Sequence, residues 1–191
     1  ILDAYLFRAM QMELAAMWDR LRDYQYKGPL MMVHNSGGMA EVFKTDAVRT
    51  YSAGPVAALI GSHKLAQGLG YKNVIACDVG GTSFDIGLVV GQSVRNYDFR
   101  PILDRWMVGI SMLQTMSIGA GGGSIASVNK LLGNRVEVGP QSAGSFPGPV
   151  CYDQGGDDPT VTDADLVLGY LDEDYYFGGE MQLNKDKAEE V

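Results

Sequence analysis

An α/β fold is the class this sequence predicts, and three observations carry the prediction. Helix-period and strand-type apolar runs intermix from one end to the other. Short breaks rich in glycine, proline and serine separate them. Hydrophobic residues make up 46% of the 191 residues, enough for a sizeable core in one domain or two small ones.

Residues 1–25 place Leu2, Leu6, Met10, Leu14, Met17, Trp18 and Leu21 at helical spacing, and Gly28-Pro29 ends that helix. The stretch PLMMVHN, residues 29–35, reads as a short buried strand with methionines as core filler, broken by Asn35-Ser36-Gly37-Gly38. Residues 48–70 read strand, turn, helix, with Ser52 as N-cap, Pro55 at the first helical position, and Gly68 and Gly70 closing the helix. Residues 73–90, NVIACDVGGTSFDIGLVV, are two apolar runs around a break: a hairpin turning just past a buried-looking Asp78. A third extended piece, Ser93–Pro101, completes an antiparallel meander. Residues 109–133 read helix or strand, a glycine-rich turn, then a helix closed by Gly133. From Arg135 come a strand, a long Gly/Pro/Ser loop and a helix starting near Thr162-Asp163; a loop of that length is functional or disordered. The Lys/Glu-rich end reads as the first turns of another helix. With no initiator Met and a start inside a helix, the chain reads as a piece of a longer polypeptide. Its expected parts are a lead-in helix over 1–29, a lobe over 30–179 and the start of a further segment over 180–191.

Fifteen Lys/Arg against 23 Asp/Glu give a net charge of −8, which repels a phosphate backbone and argues against nucleic-acid partners. A small phosphorylated ligand stays open, because backbone amides and a metal ion hold phosphate without a basic surface. Two cysteines, Cys77 and Cys151, outside any C-x-x-C pair, fit a reducing cytoplasmic setting. No apolar run approaches the roughly 20 residues that span a bilayer. Asp3 and Arg8 interrupt any signal peptide.

The break at Asp78-Val79-Gly80-Gly81-Thr82-Ser83 is over-equipped for a hairpin turn. Two glycines let consecutive N–H groups point at one anion, and the Thr82 and Ser83 hydroxyls add donors. Asp78 repels phosphate directly, so it would act through Mg²⁺ or its water, or orient a nucleophile. The plain alternative is a hairpin turn in which Asp78 caps backbone. In GAGGGS, residues 119–124, Gly121, Gly122 and Gly123 serve either an anion or nucleotide at a helix N-terminus or close helix–strand packing. That segment lacks the dinucleotide spacing, and no P-loop exists. His34 at a strand end is a candidate general base, though a structural hydrogen-bonding role is the better reading, and more so for mid-helix His63. No zinc spacing and no G-x-S-x-G elbow occur. Asp157, Asp158, Asp163 and Asp165 cluster in sequence; Thr162 or Asp163 fits an N-cap, and the group fits Mg²⁺.

Taken together these motifs resemble a known family. NSGGM (35–39), SAGPVAALIGS (52–62), DVGGTSFD (78–85), GAGGGSIA (119–126), VGPQSAGSFPGPVCYDQGG (138–156) and PTVTDADLVLG (159–169) stand in the order seen in the hydantoinase A/5-oxoprolinase family. The hairpin looks like the second phosphate loop of the actin-like ATPase superfamily, which implies an actin-like, ribonuclease H-like lobe with a mixed sheet. Residues 29–55 and 104–126 look most like the ATP-handling subunit of acetone and acetophenone carboxylases. Two departures stand out: Ser52-Ala53-Gly54-Pro55-Val56-Ala57-Ala58 replaces the usual Ser-Gly-Pro-Ala-Gly-Gly, and Phe84 replaces a later Thr of the phosphate loop. The family's first phosphate loop has no copy here, so the chain supplies one of two nucleotide-binding lobes.

The resemblance implies ATP and Mg²⁺ as cofactors, a ketone and bicarbonate as substrates, and other subunits of a hetero-oligomer as partners. Gly80, Gly81, Thr82 and Ser83 would hold phosphate, with Gly121, Gly122 and Gly123 on phosphate or adenosine. Asp78 would take Mg²⁺ or its water, and Asp85 would be a metal-linked carboxylate or structural. Two further functions stay open: ATP-dependent opening of a cyclic amide, as in oxoprolinase, and a non-catalytic interaction module of the same fold.

Overall fold

A computed structural model of the chain describes residues 1–94, 97–103 and 105–191. Its helices are α1 (Leu2–Asp23), α2 (Ala53–Gly68), α3 (Val161–Val167) and α4 (Lys185–Glu190). Its strands are β1 (Met31–Val33), β2 (Met39–Glu41), β3 (Val74–Val79), β4 (Phe84–Val89), β5 (Tyr97–Asp98), β6 (Ile102–Leu103), β7 (Trp106–Met107), β8 (Met112–Leu113), β9 (Thr115–Ile118), β10 (Ser124–Asn129) and β11 (Arg135–Ser142). The α/β class holds. Among the described residues the strands form five small sheets rather than one mixed sheet: β1-β2, β3-β4-β9, β5-β8, β6-β7 and β10-β11. Several strands are only two residues long, too short to extend a sheet. The chain divides into two compact units, residues 1–76 with 86–116 and residues 77–85 with 117–191.

In the first unit, α1 follows the predicted period, yet only Leu14 of its apolar stripe is buried, while Leu6 and Met17 stay exposed. Arg22 lies over the Trp18 ring at 3.9 Å, and Phe43 meets that ring edge-on at 6.0 Å. The Asp3 carboxylate accepts the Val48 N–H at 2.9 Å, which ties the helix start to the segment before α2. β1 and β2 form an antiparallel hairpin with Met32 opposite Ala40, and Gly37 takes the positive φ of 86° that its turn requires. Residues 47–50 make a 3₁₀ turn where a strand was expected. Ser52 does occupy the N-cap of α2, but at φ 54° its side chain caps nothing. Pro55 is the third helical residue rather than the first, a position whose missing N–H is still without an intrahelical acceptor. Leu59 of α2 packs with Ala76 and Val89 to form this unit's core. Gly87 of β4 fits there because a Cβ would lie 2.8 Å from the Leu59 side chain.

The hairpin of β3 and β4 forms where the sequence places it. The meander does not: the other neighbour of β4 is β9, and Tyr97–Asp98 pairs with β8 instead. Arg95 and Asn96 of the expected third strand lie outside the described residues, as does Asp104.

In the second unit, the segment after GAGGGS is strand β10, not the expected helix. Ser124 to Asn129 pairs antiparallel with β11, with Val128 opposite Val136 and a register shift between Ser124 and Ala126. Only a 3₁₀ turn, Lys130–Leu132, remains of the helix; Asn129 caps it and Gly133 closes it at φ 73°. Short apolar runs are ambiguous between helix and strand, and here the partner strand decides. The N-cap of α3 is Thr160, two residues before the expected start, with Asp163 completing a reciprocal capping box. The core of this unit gathers Cys151, Leu166, Leu183 and Ala188, with Tyr152, Leu171 and Tyr176 packed against it. α4 forms at the predicted end, and Asn184 caps it.

Candidate functional site

Two glycine segments far apart in sequence meet in the second unit. The turn Gly80–Ser83 closes on itself, with the Gly80 N–H donating to the Ser83 carbonyl at 2.9 Å. The Gly122 N–H donates to the Gly80 carbonyl at 3.0 Å, and the Gly123 N–H to the Gly81 carbonyl at 2.7 Å. The third N–H of the segment, from Gly121, donates to the Ser124 Oγ at 2.8 Å. A Cβ on Gly121 would stand 2.5 Å from the Gly80 carbonyl oxygen and 2.7 Å from the Gly81 carbonyl carbon and the Thr82 nitrogen. A Cβ on Gly123 would stand 2.9 Å from the Gly81 oxygen. The glycines are there because backbone lies directly on backbone. Of the two readings of GAGGGS, close packing is what the geometry displays. The N–H groups of Gly121, Gly122 and Gly123 are consumed inside the protein, and no helix follows them to add a dipole.

The first turn keeps donors free. Among the described residues the Gly81 and Thr82 N–H groups have no protein acceptor, and both residues border a cavity of about 540 Å³. Gly122, Gly123, Tyr152, Thr162, Asp165 and Tyr176 also border it. Thr162 braces the second glycine segment: its N–H and its hydroxyl both donate to the Gly122 carbonyl at 2.8 Å.

Asp78 is exposed, which corrects the impression of a buried strand end, and it does not border the cavity. The end of β3 is open: Cys77 and Val79 are exposed as well. Asp85 is half-buried and accepts from the Ser83 Oγ at 3.2 Å, so Ser83 spends its hydroxyl inside the turn.

The aspartates that cluster in sequence separate in space. Asp157 and Asp158 are exposed. Asp163 is 2% exposed and accepts from the Cys151 N–H at 2.7 Å, the Thr160 hydroxyl at 2.8 Å, the Thr160 N–H at 2.9 Å and the Val150 N–H at 3.2 Å. Burial pushes its carboxyl up, but those donors outweigh burial and hold it below the usual carboxylate range. Asp163 is therefore a structural anion that ties the 150–152 turn to the start of α3. Asp165, two residues on, is the one member of the cluster that borders the cavity. Burial, aided by neighbouring Asp163, pushes the Cys151 thiol up to about 12, so it is no nucleophile.

His34 is buried in the first unit. The Thr45 hydroxyl donates to the Glu41 carbonyl at 3.2 Å, so the His34 Nε2–H donates to Thr45 Oγ1 at 3.1 Å. That is the structural role favoured from sequence. His63 contacts the Gln92 carbonyl at 3.0 Å. The sequence did not single out Tyr152 and Tyr176, whose hydroxyls meet at 2.6 Å at the cavity. No local spacing signals a pair 24 residues apart.

Among the described residues no three His, Cys, Asp or Glu side chains converge as a metal cage, and no helix is long and apolar enough to cross a membrane.

Comparison with known proteins sets this geometry in context. The hydantoinase/oxoprolinase family model matches residues 1–191. The chain is 63% identical over 191 residues to the acetophenone carboxylase gamma subunit of Aromatoleum aromaticum, covering 100% of this chain and 26% of that one. It is 38% identical over 190 residues to the caprolactamase subunit alpha of Pseudomonas jessenii, covering 98% of this chain and 27% of that one. A nucleotide-free acetone carboxylase structure, from work on the mechanism of ATP-dependent acetone carboxylation, superposes with a TM-score of 0.82 at 29% identity. It covers 92% of this chain and 24% of that one. The chain thus spans about a quarter of the length of these relatives.

Proposed function

The chain belongs to the hydantoinase/oxoprolinase family, and from that premise we propose that it is the phosphate-holding part of an ATP-dependent ketone carboxylase subunit. The observation that carries the reading is the 63% identity, over every residue of this chain, to the acetophenone carboxylase subunit. The free Gly81 and Thr82 amides at the edge of a cavity supply the matching chemistry.

In this reading the Gly81 and Thr82 N–H groups take phosphate oxygens of ATP. Gly80 shapes the turn, and Ser83 orients Asp85. Gly121, Gly122 and Gly123 brace the loop, a role their spent N–H groups favour over direct contact with phosphate or adenosine. Mg²⁺ suits this donor set. It binds through phosphate oxygens, water and one or two carboxylates rather than in an all-protein cage. Asp78 would hold its water shell, with Asp165 as the carboxylate on the cavity side. Bound there, the ion would neutralise charge on the transferring group, while the chain's own residues position it. The acceptors would be the enol oxygen of a ketone or bicarbonate, each activated for carbon–carbon bond formation by the phosphoryl group. The actin-like lobe architecture and hetero-oligomeric partners belong to the same proposal.

Caprolactamase, 38% identical over 190 residues, supports a second reading, ATP-dependent opening of a cyclic amide. Substrate-stimulated ATP consumption by the assembled enzyme separates the two. Acetophenone or acetone should stimulate it, and caprolactam, hydantoin and 5-oxoproline should not; the reverse order would overturn the carboxylase reading. Asp78→Asn should lower turnover at least about tenfold, and near wild-type turnover would remove Asp78 from the site.

A further inference from the structure

The hydroxyls of Tyr152 and Tyr176 lie 2.6 Å apart, with ring centroids at 5.6 Å, on the cavity that Gly81 and Thr82 also border. Their rings pack against the buried cluster of Cys151, Leu166, Leu183 and Ala188, so the ring positions are fixed by the core. A phenol carries one proton to donate. In a pair, one hydroxyl donates to the other, and the receiving hydroxyl keeps its own O–H. Among the described residues that second O–H has no protein acceptor. The pair therefore keeps one free donor, strengthened because its oxygen already accepts a hydrogen bond. Pro149 and Leu171 border the same cavity and supply apolar surface there. Burial followed by the Tyr176 hydroxyl raises the Tyr152 phenol well above its ordinary range, so it works as a donor and not as a base.

We propose that the Tyr152–Tyr176 hydroxyl pair is the carbonyl-recognition point of the cavity, donating its free O–H to the oxygen of a small neutral carbonyl substrate whose apolar body lies against Pro149 and Leu171. The inference rests on the phosphoryl-transfer reading above and extends it: the amides of Gly81 and Thr82 take the phosphate end, and the tyrosine pair takes the acceptor. Tyr152 and Tyr176 are specificity residues in this scheme. A bidentate role on phosphate fits them less well, since a neutral pair offering one donor matches one carbonyl oxygen and not a charged group with several acceptors.

The test is steady-state kinetics of the assembled, full-length enzyme with Tyr152→Phe, Tyr176→Phe and the double variant. The double variant should raise KM for the carbonyl substrate about 5- to 20-fold while moving KM for ATP less than about twofold. Each single variant should raise it less, because each leaves one phenol O–H at the cavity. An unchanged carbonyl KM, or a rise in the ATP KM instead, overturns the inference. A second measurement needs no variant: the alkene analogue, with CH₂ in place of the carbonyl oxygen, should inhibit the wild-type enzyme about 5- to 20-fold more weakly than the ketone binds. Equal affinity overturns the inference. If no carbonyl compound stimulates ATP consumption by the wild-type enzyme, the carboxylase and amide-opening readings fall, and this one with them. If stimulation is present and both measurements are flat, only the tyrosine assignment falls.

Discussion

Asp163 shows how one residue can look like chemistry in sequence and be architecture in space. It stands in an acidic cluster, yet its oxygens receive three backbone N–H groups and one hydroxyl in a site that is 2% exposed. Removing the carboxylate leaves those donors buried without an acceptor, so Asp163→Ala should cost about 2–4 kcal/mol in denaturant unfolding. The pH dependence has a definite sign. The folded-state carboxyl sits below its unfolded value of about 3.9. Its contribution is therefore complete above that value and lost as pH falls through the folded-state value. Below about pH 4 the wild-type midpoint should fall more steeply than that of Asp163→Asn. The cysteines give a second residue-scale prediction. Cys77 is exposed, and Cys151 is fully buried with its thiol pushed up to about 12. A thiol reagent at pH 8 should label Cys77 in the native protein and reach Cys151 only after unfolding; simultaneous native labelling of both would contradict the packing.

At the scale of elements, the docking of one glycine segment on another is the central device. Gly121→Ala would place a methyl group 2.5 Å from the Gly80 oxygen, and that neighbour is backbone, not a side chain that can turn away. We expect the variant to lose at least about tenfold in ATP-dependent turnover, with a fall in stability of about 1–3 kcal/mol. Turnover within about twofold of wild type would mean that the loop does not depend on this support. The hairpin β3–β4 and helices α1, α2 and α4 were legible in sequence: α1 and the hairpin from apolar pattern and breaks, α2 from its cap and closing glycines, and α4 from its Lys/Glu-rich composition. The strand β10 was not. Ser124–Asn129 reads equally well as helix, and only pairing with Arg135–Ser142, beyond Gly133, makes it a strand. The same limit hid the partners of Gly121–Gly123: a glycine run announces close approach but not what approaches.

For the whole molecule, the excess of 23 acidic over 15 basic residues predicts weak polyanion affinity. The protein should pass through a heparin column at about 0.15 M salt, and retention would expose a basic surface that the composition conceals. The sequence by itself determined the α/β class, the family through its ordered motifs, and the hairpin turn with its two glycines. These follow from residue types at fixed short spacing. Tertiary structure decided which groups share the cavity. It drew Asp165 to the cavity and left Asp78 on an open strand end. It packed Gly121, Gly122 and Gly123 against the Gly80–Thr82 backbone, and it joined Tyr152 to Tyr176. Hydrogen bonds and close contacts between segments as far as 42 residues apart made those choices, and short spacing carries no record of them.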